Sequence, residues 1–261
     1  MEASLLPTPK ARSSARNAVR KLSHHWLAIC QRLLATAAVT LVSAPIAVAS
    51  GAHQLFELGD FALESGVVLP SAKLSYVTHG ELNGTGDNAI LVPSAYLGDH
   101  HGFDFLIKTG LDLDPAKYFI VATDMFQNGL SSSPSNTPTP FDGPHFPAIS
   151  IRDNVTASYR LLTEVFGLTH IKAVIGFSMG AQQAFQWAVS HPDFMDKAIG
   201  IAGSAVEYPH GAIRLEGFKA AIMADQTFAQ GLYMTPPIAG LKAGGTHWAS
   251  WGTSQEWFRQ G

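Results

Sequence analysis

Cysteine is nearly missing from this 261-residue chain: the one cysteine, Cys30, lies close to the N-terminus. Beyond it there is no thiol to form a disulfide, act as a nucleophile or ligate a metal. Charge is also sparse, at 14% Asp, Glu, Lys and Arg against 46% apolar residues, a balance that excludes a disordered chain. Basic residues are scarcest where a nucleic-acid footprint would need them. Residues 1–49 hold 6 of the 17 bases and 1 of the 20 acids, which leaves 11 bases against 19 acids in the rest. That acidic surplus argues against nucleic-acid binding. No long apolar run interrupts the chain beyond residue 49, so no internal membrane span is expected. Repeats and low-complexity linkers are absent as well. The length suits one domain with a sizeable core.

The first 49 residues have their own pattern. Lys10, Arg12, Arg16, Arg20, Lys21 and Arg32 precede an apolar run from Leu33 to Val48 that closes on Ala47-Val48-Ala49. A basic region, an apolar stretch and A-x-A form the layout of a secretory signal, with cleavage expected after Ala49 and export as the destination. The Ser/Ala/Arg-rich, acid-poor composition also fits a mitochondrial transit peptide. An untargeted extension or an uncleaved signal anchor would have the same composition.

Residues 50–211 read as an α/β core. Short apolar or alternating runs predict strands at Phe61–Leu63, Ala72–Thr78, Ala89–Val92, Tyr118–Thr123, Ile171–Ile175 and Lys197–Ala202. Asn83-Gly84-Thr85-Gly86 marks a turn. Ser150 and Asp153 form a capping box for a helix running to about Phe166, with Val155, Tyr159, Leu162 and Phe166 on its apolar face. Ala181–Val189 is a second helix, with Ala184, Phe185 and Ala188 at helical spacing. Strands alternating with helices predict a mostly parallel sheet covered by helices on both faces. Residues 212–261 are helical and aromatic-rich, with Trp248, Trp251, Trp257 and Phe258, and suit the start of a helical cap. Between Asn128 and Pro147 lies a long loop with five prolines and a serine cluster; loops of that length usually serve or cover a site.

The most informative stretch is Val174-Ile175-Gly176-Phe177-Ser178-Met179-Gly180. It places G-x-S-x-G between a predicted strand and a predicted helix. In that context the serine sits on a sharp turn, and Gly176 and Gly180 are the structural elbow, small because backbone and helix crowd together there. The N–H of Met179, just after the serine, can donate to a developing oxyanion. An ordinary turn with an incidental serine would show the same five residues.

Taken with the segments LVPSAYLGDHH at 91–101, MFQNGLSSSPSNTPTPFDGPHFP at 125–147, IRDNV at 151–155 and GFSMGAQQAFQWA at 176–188, the chain resembles the homoserine O-acetyltransferase-like branch of the α/β-hydrolases. The resemblance runs from about Ala72 to Gly261. It implies an α/β-hydrolase fold with Ser178 as the acyl-accepting catalytic nucleophile and an oxyanion hole made by Met179 and Tyr96. It also implies transfer of an acyl group from a thioester donor to a hydroxyl acceptor by ping-pong kinetics. No metal and no bound cofactor are implied; acyl-coenzyme A enters only as a co-substrate.

Two departures qualify what the resemblance implies. The acetyltransferases tend to have S-M-G-G-M where this chain has Ser178-Met179-Gly180-Ala181-Gln182, which points to another hydroxyl acceptor, or to water and simple ester hydrolysis. The family's triad acid and histidine lie beyond the cap, after further strands, whereas this sequence reaches Gly261 within the expected cap. The last sheet strands are therefore expected to be missing, with an unpaired apolar edge and poor solubility as the result. The same shortfall is compatible with a catalytically inactive product. His191 is expected to cap a helix, His210 to sit in a solvated loop and His247 to pack in the cap; no triad histidine is assigned, and nothing in the spacing selects among Asp193, Asp196 and Asp225.

Three further groups have bland readings. Asp99-His100-His101 invites a metal site, but adjacent strand residues point to opposite faces and no third ligand cluster is evident. Asp124 ends a predicted strand, where it either lines a site or caps a loop. Ser131, Ser132 and Ser133 are expected to hydrogen-bond within their loop.

Overall fold

Among the described residues six strands build one sheet, ordered β1-β2-β4-β3-β5-β6. They are β1 (Gln54–Ala62), β2 (Val68–His79), β3 (Ala89–Pro93), β4 (Phe119–Thr123), β5 (Ile171–Phe177) and β6 (Met195–Ile201). The computed structural model describes residues 53–252 and 254–260, so the expected leader at 1–49 lies outside the described residues. β2 pairs antiparallel with both β1 and β4, while β4, β3, β5 and β6 are mutually parallel.

All six predicted strands form, with shifted ends. The first is much longer than the apolar run Phe61–Leu63 because β1 is an edge strand. Only Leu58 and Phe61 of its residues are buried, and irregular pairing with β2 around Gly59 lets polar residues face solvent. β6 begins two residues earlier than predicted and ends one earlier.

The buried parallel strands divide the core in two. Successive strand residues point to opposite faces, so Leu91, Val121 and Val174 join one cluster while Ile90, Val92, Ile120, Ala122 and Ala173 join the other. Two helices cover the first face. The first is α1 (Ile151–Arg160), whose last turn widens into a π-helical turn over Leu161–Val165; the second is α2 (Met179–Ser190). Among the described residues the second face is packed by a 3₁₀ turn at His100–Phe103 and the irregular segment that follows it, with Phe103 and Leu113 pointing inward. Gly98, Gly102, Gly110 and Pro115 keep the β3–β4 connection irregular on that face.

The capping box forms as predicted. The Ser150 hydroxyl accepts from the Asp153 N–H at 3.1 Å and Asp153 Oδ2 accepts from the Ser150 N–H at 2.8 Å. The apolar face of α1 is also as expected, with Val155 and Leu162 buried and Tyr159 and Phe166 packed against the core. In α2 the expected face is rotated. Gly180, Ala181, Gln183, Ala184 and Trp187 are buried, Phe185 is half-buried and Ala188 is exposed.

Beyond the sheet come α3 (Pro209–Met223), a 3₁₀ segment (Gln226–Gly231), α4 (Ile238–Gly252) and α5 (Gln255–Gln260). The helical region thus starts three residues earlier than the sequence suggests, at a proline suited to a first helical position. Gly240 and Gly244 are buried in α4, and a Cβ at Gly244 would meet the Phe218 ring of α3. No helix among the described residues is long and apolar enough to cross a membrane.

Candidate active site

Every parallel strand is followed, at the same edge of the sheet, by a non-glycine residue with positive φ. Leu97 (φ 59°) follows β3, Gln127 (72°) follows β4, Ser178 (55°) follows β5 and Ala202 (51°) follows β6. Such conformations cost non-glycine residues roughly 1–3 kcal/mol each and concentrate at functional sites. The carboxyl ends of parallel strands are also where α/β sheets bind ligands.

Ser178 stands directly between β5 and α2. Its φ of 55° and ψ of −118° turn the chain from β5 directly into α2. The turn is held on both sides. The Ser178 N–H donates to Ile201 O at 2.9 Å, and Ser178 O accepts from the N–H groups of Ala181 and Gln182. The elbow glycines are required by contact. A Cβ on Gly176 would stand 1.9 Å from Gly180 O, and one on Gly180 would stand 2.7 Å from Pro93 O. Met179 opens α2, so its N–H has no carbonyl one turn back within the helix and is free in principle for an outside acceptor.

The segment after β3 runs alongside. A turn closes from the Gly98 N–H to Ala95 O at 3.0 Å, with Tyr96 in its second position, where the N–H plays no part in the turn's own bond. Buried polar contacts fix both ends of this loop. At its start, the Ser94 N–H donates to Thr123 O (2.9 Å), the Ser94 hydroxyl accepts from the Met125 N–H (2.9 Å) and Ser94 O accepts from Gln183 Nε2 (3.0 Å). At its end, Asp124 takes over. Its fully buried carboxylate accepts from the His100 N–H and His100 Nδ1, both at 2.8 Å, from the Ser75 hydroxyl at 2.6 Å and from Asn128 Nδ2 at 3.0 Å. Asp124 is therefore a loop anchor.

His100 and His101 do not point apart. They lie on a 3₁₀ turn with ring centroids 4.3 Å apart, because that segment is not a strand. Asp99 caps the turn and Asp104 pairs with His101. Among the described residues no group of three or more His, Cys, Asp or Glu side chains could hold a metal ion. The three serines are hydrogen-bonded as expected, though not only within their loop. Ser131 Oγ donates to Asp124 O, Ser132 Oγ accepts from the Lys73 N–H and Ser133 Oγ donates to Ser131 O.

Among the described residues no histidine is hydrogen-bonded to the Ser178 hydroxyl. His100 is sealed against Asp124. His191 ends α2, its N–H donating to Trp187 O and its ring stacked on Tyr159 at 4.0 Å, and burial pushes its imidazole below the ordinary histidine range. His210 is exposed against Trp251, and His247 bonds Arg214 O. Of the acids, Asp196 pairs with His170, a hydrogen bond that holds the carboxyl low and the imidazole high. Asp225 caps a turn and accepts from the Gly240 N–H.

A family model described as the alpha/beta hydrolase fold matches residues 88–232, over half of the chain. The chain belongs to the α/β-hydrolase family. Within this family it is 41% identical over 214 residues to the ethyl acetate hydrolase of Pseudomonas veronii, an alignment covering 81% of this chain and 61% of that protein. It is 37% identical over 201 residues to the homoserine O-acetyltransferase of Methanosalsum zhilinae, covering 70% and 40% respectively. The crystal structure of an acetylester hydrolase from Corynebacterium glutamicum superposes with a TM-score of 0.78 at 39% identity, over 81% of this chain and 62% of that one. The α/β-hydrolase chain thus spans about three fifths of the length of the esterase relatives it matches.

Sequence reasoning missed two contributors to this site, Ser94 and Gln183. The second had a signal. Gly180, Gln183, Ala184 and Trp187 recur at helical spacing, which puts Gln183 on the buried face and Gln182 beside it.

Proposed function

We propose that this protein is an enzyme of carboxylic esters, a serine hydrolase that forms an acyl-enzyme on Ser178 and passes a short acyl group to water. The observation that carries the proposal is the Ser178 backbone, strained at the carboxyl end of β5 between two glycines that no other residue can replace without collision. In this reading the Ser178 Oγ bonds to the ester carbonyl carbon, and its proton is carried to the departing alkoxide by a general base that no described residue supplies at the Ser178 hydroxyl. The carbonyl oxygen becomes an oxyanion held by the Met179 and Tyr96 N–H groups, and the alcohol departs. Water then releases the acid and frees the serine. The esterase names of the relatives at about 40% identity support water as acceptor.

A second reading keeps Ser178, Met179 and Tyr96 and changes the partners: an acyl-coenzyme A donor and a small hydroxyl acceptor. Similarity to homoserine O-acetyltransferases favours it, while Ala181-Gln182 after the elbow departs from their pattern.

Labelling of the folded chain by a fluorophosphonate probe, mapped by peptide, tests the serine. Ser178 is expected to carry the label, and Ser178→Ala to lose both label and p-nitrophenyl acetate hydrolysis, by a factor of about 10⁴ or more. Equal labelling of the mutant sinks the assignment, and absence of labelling on folded wild-type protein supports a non-catalytic product. Release of acetate without a hydroxyl acceptor distinguishes hydrolysis from transfer out of acetyl-coenzyme A.

A further inference from the structure

The two N–H groups assigned above to the oxyanion come from separate segments, the start of α2 and the loop after β3. Catalysis of this kind demands that such donors hold a fixed separation, since the oxyanion must meet both at hydrogen-bond distance. Strand-to-strand bonds reach only as far as Ser94 and Ser178, two residues short of Tyr96 and one short of Met179, so they do not by themselves fix that separation.

One side chain spans the gap. Gln183 stands one turn beyond Met179 in α2, its side chain is almost wholly buried, and its Nε2 donates to Ser94 O at 3.0 Å. Ser94 is itself immobilised by Thr123 and Met125 and lies two residues before Tyr96. The backbones also touch along this seam, since a Cβ on Gly180 would collide with Pro93 O. That contact sets how closely α2 can approach. A contact of this kind has no direction, however, and α2 could still slide or rotate along it. A hydrogen bond from an amide to a particular carbonyl removes that freedom.

We infer that Gln183 is a positioning residue that sets the Tyr96 N–H against the Met179 N–H. The inference rests on the ester-hydrolysis reading, and it assigns Gln183 a role through the loop rather than through contact with substrate. The buried amide would otherwise be an expensive choice at a helix–sheet contact, where an apolar side chain of the same size would pack without needing a partner.

The test compares p-nitrophenyl acetate with p-nitrophenyl thionoacetate in the wild-type chain, Gln183→Met and Gln186→Met. Sulfur is larger and a poorer acceptor than oxygen, so an intact donor pair favours the oxygen ester and a misplaced pair discriminates less. In Gln183→Met the shape is kept and the donor lost. Its kcat on the oxygen ester should fall about tenfold to a hundredfold with KM little changed. Its oxygen-to-sulfur rate ratio should collapse towards that of hydroxide in solution. Gln186→Met, one turn further along α2 and outside the seam, should keep both values. A general loosening of the fold would lower both rates together and leave the ratio alone. Should Gln183→Met fail to fold, Gln183→Asn, too short by one methylene to reach Ser94 O, is expected to give the same collapse. A wild-type ratio retained in the folded Gln183 variant overturns the inference and leaves the ester reading standing. A folded wild-type chain with no reaction on either ester overturns both.

Discussion

β4 and β6 are both short apolar strands in the parallel part of one sheet, yet their surroundings are opposite. All five residues of β4 are buried, whereas six of the seven in β6 are exposed, with Ile199 at 39% and Ile201 at 41% of full exposure. Asp196 and Lys197 in MDKAIGI hint at the difference from FIVAT, but Ala198, Ile199 and Ile201 do not. Position in the sheet order does. β4 has neighbours on both edges and packed layers on both faces, while β6 pairs only with β5 among the described strands. An apolar run predicts that a strand forms; it does not predict what covers it. The serine elbow lies on the boundary, with β5 and α2 packed towards the covered side and Ile201 O reaching it from the open one.

Substitutions on either side should sharpen that contrast. The largest expected effect is on the covered side. Trp187 of α2 is fully buried against Tyr159, His191 and Phe194, and Trp187→Ala should cost about 3–5 kcal/mol in urea unfolding. Ile201→Ala in β6 should cost about 1 kcal/mol or less. Equal losses would mean that β6 is as well packed as the core.

Two glycines give a smaller contrast. In Gly176→Ala the new methyl meets backbone that cannot move, and a loss of about 1–3 kcal/mol or more is expected. In Gly200→Ala the methyl meets the Phe185 ring at 2.5 Å. That ring is half-buried beside the open strand and can swing away, so the change should stay within about 1 kcal/mol. Melting both variants beside the wild type checks the ordering.

Much of this arrangement is legible in the sequence, and the parts that are not share a cause. The strands, the Ser150–Asp153 capping box and the serine elbow declare themselves through local pattern. The Asp124 anchor does not, because its donors Ser75, His100 and Asn128 come from three separate segments. Asp99-His100-His101 misleads for a similar reason. Alternation of side chains holds for a strand, and the backbone there is a 3₁₀ turn. The buried face of α2 is hidden by residue type. Phe185 and Ala188 look apolar enough to face the core and Gln183 looks polar enough to avoid it, yet the helix buries Gln183 for its bond to Ser94.

The buried Asp124 cluster also bears on ionic strength. Mobile ions screen charges that solvent can reach, within about 3 Å at 1 M salt. The exposed pairs Lys73–Glu57, Arg160–Glu164 and Lys219–Glu216 are open to that screening. Asp124 and His100, at 0% and 2% side-chain exposure, are shielded from it by the protein. Amide exchange of His100, whose N–H is held by Asp124 Oδ1, should therefore slow or quicken by less than about twofold between roughly 0.05 and 1 M sodium chloride. A large acceleration would mean that ions enter the cluster. If it stays sealed, brine and fresh water would see different surfaces on this protein but the same loop beside Ser178.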